Sequence, residues 1–299
     1  SMDFVHAWML GLIPTEEIYR ELMGRVNSPT RIKDITSALD ERNHSLFHSL
    51  TQKVVNRILE IELQRGDSET QVTRLAEELH RVYGAETLIR ILQAFGKDTF
   101  IRDSYNWRNT KRGVLSSLLH ACYPSPDDDS DTLKSLASQA DISHIRLVEA
   151  AMFAPQWLEL TEKATGWKGL ESAAYYFHAH TSECFDDKKK AIIARYTPIA
   201  IEDLQEGAFD IDWFKEAYKT IGKERFEVVY NAAKYISLSN THTRARKFAD
   251  AVNGKTKAAD AKKEIIAKRN KDLLMSYGLI PLGRKADKEL LERYQFLQK

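Results

Sequence analysis

Sharp turns are the scarcest feature of this chain. Its 299 residues include only 13 glycines and 7 prolines, about half the roughly 12% that the two types together reach in an average soluble protein. Sandwiches, barrels and hairpin-rich folds need such residues at every reversal, so a chain this poor in them is expected to be all-α. Hydrophobic residues make up 43% of the sequence. That is enough for a large core, and it excludes disordered and collagen-like classes. At this length one or two domains are expected.

Apolar residues recur with helical period. Leu46, Leu50, Val54, Ile58 and Ile61 draw one stripe over residues 43–65, and Val72, Leu75, Leu79 and Val82 another over 68–83. Ser28-Pro29 sets an N-cap before a proline at the first helical position, and Ser68 with Gln71 makes a capping box. Ala154-Pro155 and Tyr123-Pro124 mark helix boundaries, because proline disfavours helix in the residue before it. No segment reads as a strand.

A weak internal repeat sharpens this reading. Trp157, Gly166 and Leu170 recur as Trp213, Gly222 and Phe226, with Lys163/Lys219 and Glu171/Glu227 in the same frame, and Leu75, Gly84 and Leu88 fit it too. The spacing suits a helix, a glycine in the left-handed position after it, and a second helix packing back, an αα-hairpin. The glycines are unevenly spaced, which excludes a regular array and predicts an irregular HEAT- or armadillo-like stack.

Residues 124–131, rich in proline and aspartate, read as a linker between an N-terminal lobe (1–123) and a C-terminal lobe (132–299). They do not make a calcium loop. Counting from Asp127, the sixth position is Thr132 where glycine is required, and the twelfth is Ser138 where glutamate is required. Cys122 and Cys184 form neither a disulfide framework nor a zinc pattern and suit a reducing cytosol. No apolar run reaches the ~18 residues of a membrane span. Asp3 and His6 interrupt the N-terminal stretch, which argues against a signal peptide. Ser1-Met2 running straight into an apolar, helix-like stretch is expected of a piece of a longer protein.

Candidate chemistry is thin. His44 and His48 share a helix face, but Ser45 stands where a metalloprotease motif needs glutamate, and no third ligand is in view, so no metal or other cofactor is expected. Trp157, His178 and His180 form an aromatic–histidine cluster that would be the place to look for an enzyme site. The plainer reading is an aromatic core face ending at a polar helix terminus. No nucleophile-elbow, phosphate-loop, dinucleotide or zinc-ribbon signature occurs.

Charge is more informative. Residues 242–271 carry ten basic side chains against three acidic ones, although the whole chain has a formal charge of only +1. Arg244, Arg246, Lys247, Lys262, Lys263, Lys268, Arg269 and Lys271 are the candidate contacts for nucleic acid or another polyanion. Few aromatics accompany them, which disfavours single-strand stacking. Phe248, Val252, Ile265, Ile266 and Leu273 also give the stretch an ordinary core face.

Several segments together resemble a known family. Thr110–Pro124, Ala150–Trp157, Gly166–Leu170, Tyr176–His180, Ala191–Pro198, Gly207–Lys215 and His242–Asp250 resemble stretches of large bacterial proteins related to MolR. Those proteins carry a domain of unknown function and often a WGR domain. The resemblance covers about residues 110–250 and implies a helical segment of a larger intracellular bacterial protein. It brings no catalytic residues, and no WGR motif is present. The expectation is therefore a cytoplasmic, non-catalytic scaffold or protein-interaction module whose partners are other domains of its parent chain or a separate protein. Polyanion binding through 242–271 and an enzyme site near His178 and His180 stand as alternatives, and no membrane contact is expected.

Overall fold

The computed structural model describes residues 2–14, 17, 41–77, 79–102, 107–181, 185–237 and 240–298. They fall into two compact units, Ser1–Ser143 and His144–Lys299. Helices dominate both, as expected from the scarcity of turn residues.

The first unit runs α1 (Met2–Met9), α2 (Glu41–Gln64), α3 (Thr73–Glu77), β1 (Val82–Tyr83), α4 (Ala85–Phe95), α5 (Lys111–His120), β2 (Cys122–Tyr123) and α6 (Ser130–Gln139). Leu88, Ile89, Ile91, Leu92 and Phe95 are buried on α4, which packs against α2, α5 and α6. On α2, Val54 and Ile58 are buried as the stripe requires. The side chains of Leu46, Leu50, His44 and His48, and the whole Ser28-Pro29 cap, lie outside the described residues.

Two expectations for this unit need correction. The helix expected over 68–83 is reduced to α3, and the Ser68/Gln71 box does not cap it. Instead the fully buried Glu62–Arg65 pair, 2.9 Å apart, gathers the hydroxyls of Thr70 and Thr73 onto Glu62. A satisfied buried ion pair outweighs a local cap, because leaving either charge unpartnered would cost several kcal/mol, on the order of 3–5. Beyond α3, Val82 pairs in parallel with Cys122. Two-residue strands are too short to leave a periodicity, which is why the sequence shows none.

Residues 124–131 are built into the first unit. The Asp128 carboxylate accepts from the amides of Ala85 (2.8 Å) and Ser125 (2.7 Å), and Asp129 caps α6 through the Thr132 amide (2.7 Å). Aspartates that looked like solvated linker residues therefore satisfy the open amides of two helix starts. The chain divides after Ser143 instead.

The second unit comprises α7 (His144–Phe153), a 3-10 turn (Pro155–Trp157), α8 (Leu158–Thr165), α9 (Leu170–Ala179), α10 (Asp187–Ile193), α11 (Ile201–Glu206), α12 (Ile211–Ile221) and α13 (Lys223–Ala232). A second 3-10 turn (Ala233–Tyr235) leads to α14 (His242–Val252), α15 (Ala258–Lys268), α16 (Lys271–Leu279) and α17 (Ala286–Leu297). Its hub is α9, which is buried without interruption from Ala173 to Ala179 and packs against α8, α12, α13 and α14. A helix apolar on all sides must be surrounded.

The glycines of the repeat frame sit in different settings. Gly166 ends α8 in the left-handed conformation at φ +66°, as a C′ glycine should. Gly222 adopts φ +82°, ψ +156° and joins α12 directly to α13. Gly84 follows a strand. Helix pairs α8/α9 and α12/α13 do pack back on themselves. The shared spacing therefore hides three different turns.

Candidate functional site

His178, His180 and Trp157 are each fully buried. His180 sits inside an aromatic cage, 4.6 Å from the Tyr176 ring and 5.1 Å from Phe209. Its Nδ1 meets the Tyr176 carbonyl at 2.8 Å. Burial, aided by the nearby Arg244 charge, pulls its pKa down to about 4, so the ring is neutral at physiological pH. No substrate reaches these rings without opening the core. His178 lies on α9 and His180 caps its end, whereas Trp157 belongs to the 3-10 turn before α8, and among the described residues no group of three or more His, Cys, Asp or Glu is placed to hold a metal ion.

The basic candidates separate just as sharply. Arg244 is buried; its Nε donates to the His180 carbonyl (3.0 Å) and its Nη1 to the Gln205 carbonyl (2.7 Å). Both carbonyls lie at helix C-terminal ends, where partial negative charge compensates a guanidinium that has no carboxylate partner among the described residues. Arg246 donates to the carbonyls of Tyr230 and Asn231, each at 2.9 Å, and lies over the Tyr230 ring. Lys247 approaches Asp272, Lys268 pairs with Glu264, Lys271 with Glu206, and Lys262 covers the Phe296 ring. Lys263 and Arg269 are exposed. Arg244 thus leaves the surface set, because α14 packs against α9 and must bury one side.

The open feature lies elsewhere. A cleft of about 500 Å³ is lined by Gly169 and Ser172 of the α9 start, Arg195 and Tyr196 after α10, and one face of α12. That face presents Asp212, Glu216 and Thr220 in a row, with Trp213 and Ala217 beside them, which is the i, i+4, i+8 spacing of one helix side. Tyr196 stacks on Trp213 at 5.6 Å and 5° and also faces Tyr175 at 6.4 Å. The Trp213 indole donates to Ser172 Oγ (2.9 Å).

Asp210 holds the cleft together. Its carboxylate accepts from the Trp213 amide (2.9 Å), capping α12, and from the Thr197 hydroxyl (2.7 Å), which fixes the Arg195–Tyr196 segment. Gly169, at φ +87°, permits the closest approach of α9 to α12, since a Cβ there would stand 2.8 Å from Thr220 Cγ2. Near Tyr196, burial together with the charges of Glu159 and Glu162 raises the Glu171 pKa, opposed by Arg195.

Three charged side chains stand on the rim. None of the ion pairs among the described residues includes Arg195, Asp212 or Glu216. All three are exposed, and they present both signs to one cleft.

A family model described as a family of unknown function (DUF5724) matches residues 1–299. The chain belongs to this family. No curated protein and no solved structure matches it. The DUF5724 match spans the first hundred residues as fully as the rest, where the resemblance to MolR-related proteins is weakest, and it shows no MolR or WGR link. In this DUF5724 chain, three segments quoted for that resemblance, 166–170, 191–198 and 207–215, converge on the cleft. Sequence reading missed the site residues themselves. The i, i+4 carboxylates Asp212 and Glu216 around Trp213 were the available signal, but such a pair is common on any solvated helix.

Proposed function

We propose that the chain is a non-catalytic helical interaction module, an irregular αα-hairpin stack of the HEAT or armadillo kind, that docks a segment of a partner protein. One observation carries this reading: charges of both signs, Arg195 against Asp212 and Glu216, without an ion pair among the described residues, rim a cleft beside the half-buried Tyr196, which stacks on the buried Trp213. Clefts that combine aromatic anchors with a polar rim suit protein segments. The partner is another domain of the parent chain or a separate protein. Kinship with MolR-related bacterial proteins and a cytoplasmic scaffold role belong to the same proposal.

Selecting a random peptide display library on the full chain tests it. Selected peptides are expected to lose at least about tenfold in affinity when Glu216→Arg is introduced. Failure to select any peptide, or selection of peptides indifferent to Glu216→Arg, would refute the reading.

A second reading is supported by the exposed face of α15 and its flanks, where Lys257, Lys263 and Arg269 stand without an ion pair among the described residues. Polyanion contact there predicts salt-sensitive binding of labelled duplex or single-stranded nucleic acid. Lys263→Glu with Arg269→Glu should abolish that binding, and its absence at micromolar protein would dismiss the idea.

A further inference from the structure

The arrangement of charge in the cleft narrows what can occupy it. A phosphate-bearing ligand would meet Asp212 and Glu216, and a simple cation would meet Arg195. The occupant must carry both signs in the right order. Along α12 the Asp212 and Glu216 positions are separated by four residues, about 6 Å of helix rise. In an extended chain, alternate side chains share a face and recur about every 6.6 Å, while the one between them points the other way. Arg195 comes from a different element of the chain, the segment that Asp210 pins through Thr197. The half-buried Tyr196 ring, backed by the buried Trp213 indole, supplies an apolar surface against which the stem of a long basic side chain can lie.

We propose that the cleft selects an extended segment of alternating charge, basic–acidic–basic, with its basic side chains facing Asp212 and Glu216 and its acidic side chain facing Arg195. This rests on the reading of the cleft as a docking site for a protein segment. The Ser172 hydroxyl, whose oxygen already accepts from the indole, keeps its proton for the backbone of such a segment, and Thr220 offers another hydroxyl at the far end of the row.

The test is fluorescence anisotropy at low salt with the full chain and labelled peptides carrying lysine–glutamate–lysine in glycine–serine flanks. Comparison peptides carry glutamate–lysine–glutamate, three lysines, or lysines at i and i+4 in a helical host. Lysine–glutamate–lysine should bind about tenfold tighter than its charge inverse, and added salt should narrow the gap. Combining Arg195→Glu with Asp212→Lys and Glu216→Lys should invert the preference. All three positions are exposed, and circular dichroism of the triple variant verifies its fold. The single Arg195→Glu variant gives an independent reading, since it should weaken lysine–glutamate–lysine and strengthen the three-lysine peptide. Equal binding of the two alternating peptides, no inversion, or a helical or all-lysine peptide binding as tightly would overturn the proposal. If display-selected peptides depend on Glu216 yet carry no alternation, this inference falls and the docking reading stands. If no peptide depends on the cleft, both fall.

Discussion

The closed core around His180 and the open cleft beside Tyr196 share one side chain. Trp213 lies 6.1 Å from the His180 ring on the core side and 5.6 Å from Tyr196 on the cleft side. Both neighbourhoods are rich in aromatics and both contain ionisable groups. They differ in how charge is compensated. In the core, burial keeps His180 neutral, and helix-end carbonyls satisfy Arg244. At the cleft, three exposed charges find no ion-pair partner among the described residues. Aromatic density is thus common to both neighbourhoods, and what separates them is exposed charge without an ion pair among the described residues.

The contrast can be broken most forcefully at Arg244. Arg244→Ala leaves two buried carbonyls without their donor and is expected to cost about 3 kcal/mol in chemical denaturation. Arg246→Ala, on the more exposed side of α14, should cost under about 1 kcal/mol. Similar small losses for both would mean that Arg244 is not a core strut.

The next lever is pH. His180 has its pKa lowered to about 4 from an ordinary 6.5. Between those values the unfolded chain holds a proton that the folded chain does not, so this contribution to stability is complete above pH 6.5. It is lost progressively as pH falls toward 4, up to about 3 kcal/mol. Urea unfolding across that window should show the decline, and His180→Gln should flatten it. An unchanged slope in the variant would place the titrating group elsewhere.

Two glycines separate tight packing from backbone strain. Gly169→Ala meets Thr220 as well as an unfavourable φ and should cost about 2 kcal/mol, with weaker peptide binding. Gly166→Ala meets nothing within 4 Å and carries only the backbone penalty, about 1 kcal/mol. Equal losses at the two positions would show that the approach of α9 to α12 is not tight. The smallest stability effect belongs to the cleft rim. Asp212→Asn with Glu216→Gln should change the unfolding free energy by no more than about 0.5 kcal/mol, while peptide affinity drops severalfold.

The sequence shows the helical class plainly, and Val54 and Ile58 are buried where their spacing puts them. The boundary at Ala154-Pro155 also stands, with α7 ending at Phe153 and a 3-10 turn beginning at the proline. Local signals fail where a distant partner outbids them. Ser68 and Gln71 lose to Glu62 and Arg65, and Asp128 and Asp129 of 124–131 are recruited by helix starts. The basic run 242–271 shows the same limit, because composition counts cations without recording which way they point.

By itself, then, the amino-acid sequence determined a helical chain with apolar faces, glycine-marked reversals and a positive stretch near its end. Each of those depends on neighbours three or four residues apart, within the reach of a single helix. Only the tertiary structure decided that Arg244 is a buried strut, that His178 and His180 are sealed, and that Arg195, Tyr196, Asp212 and Glu216 meet around one cleft. Those outcomes depend on which helices pack together, and on the cost of burying a charge without a partner. That cost is paid or avoided by residues far apart in the chain.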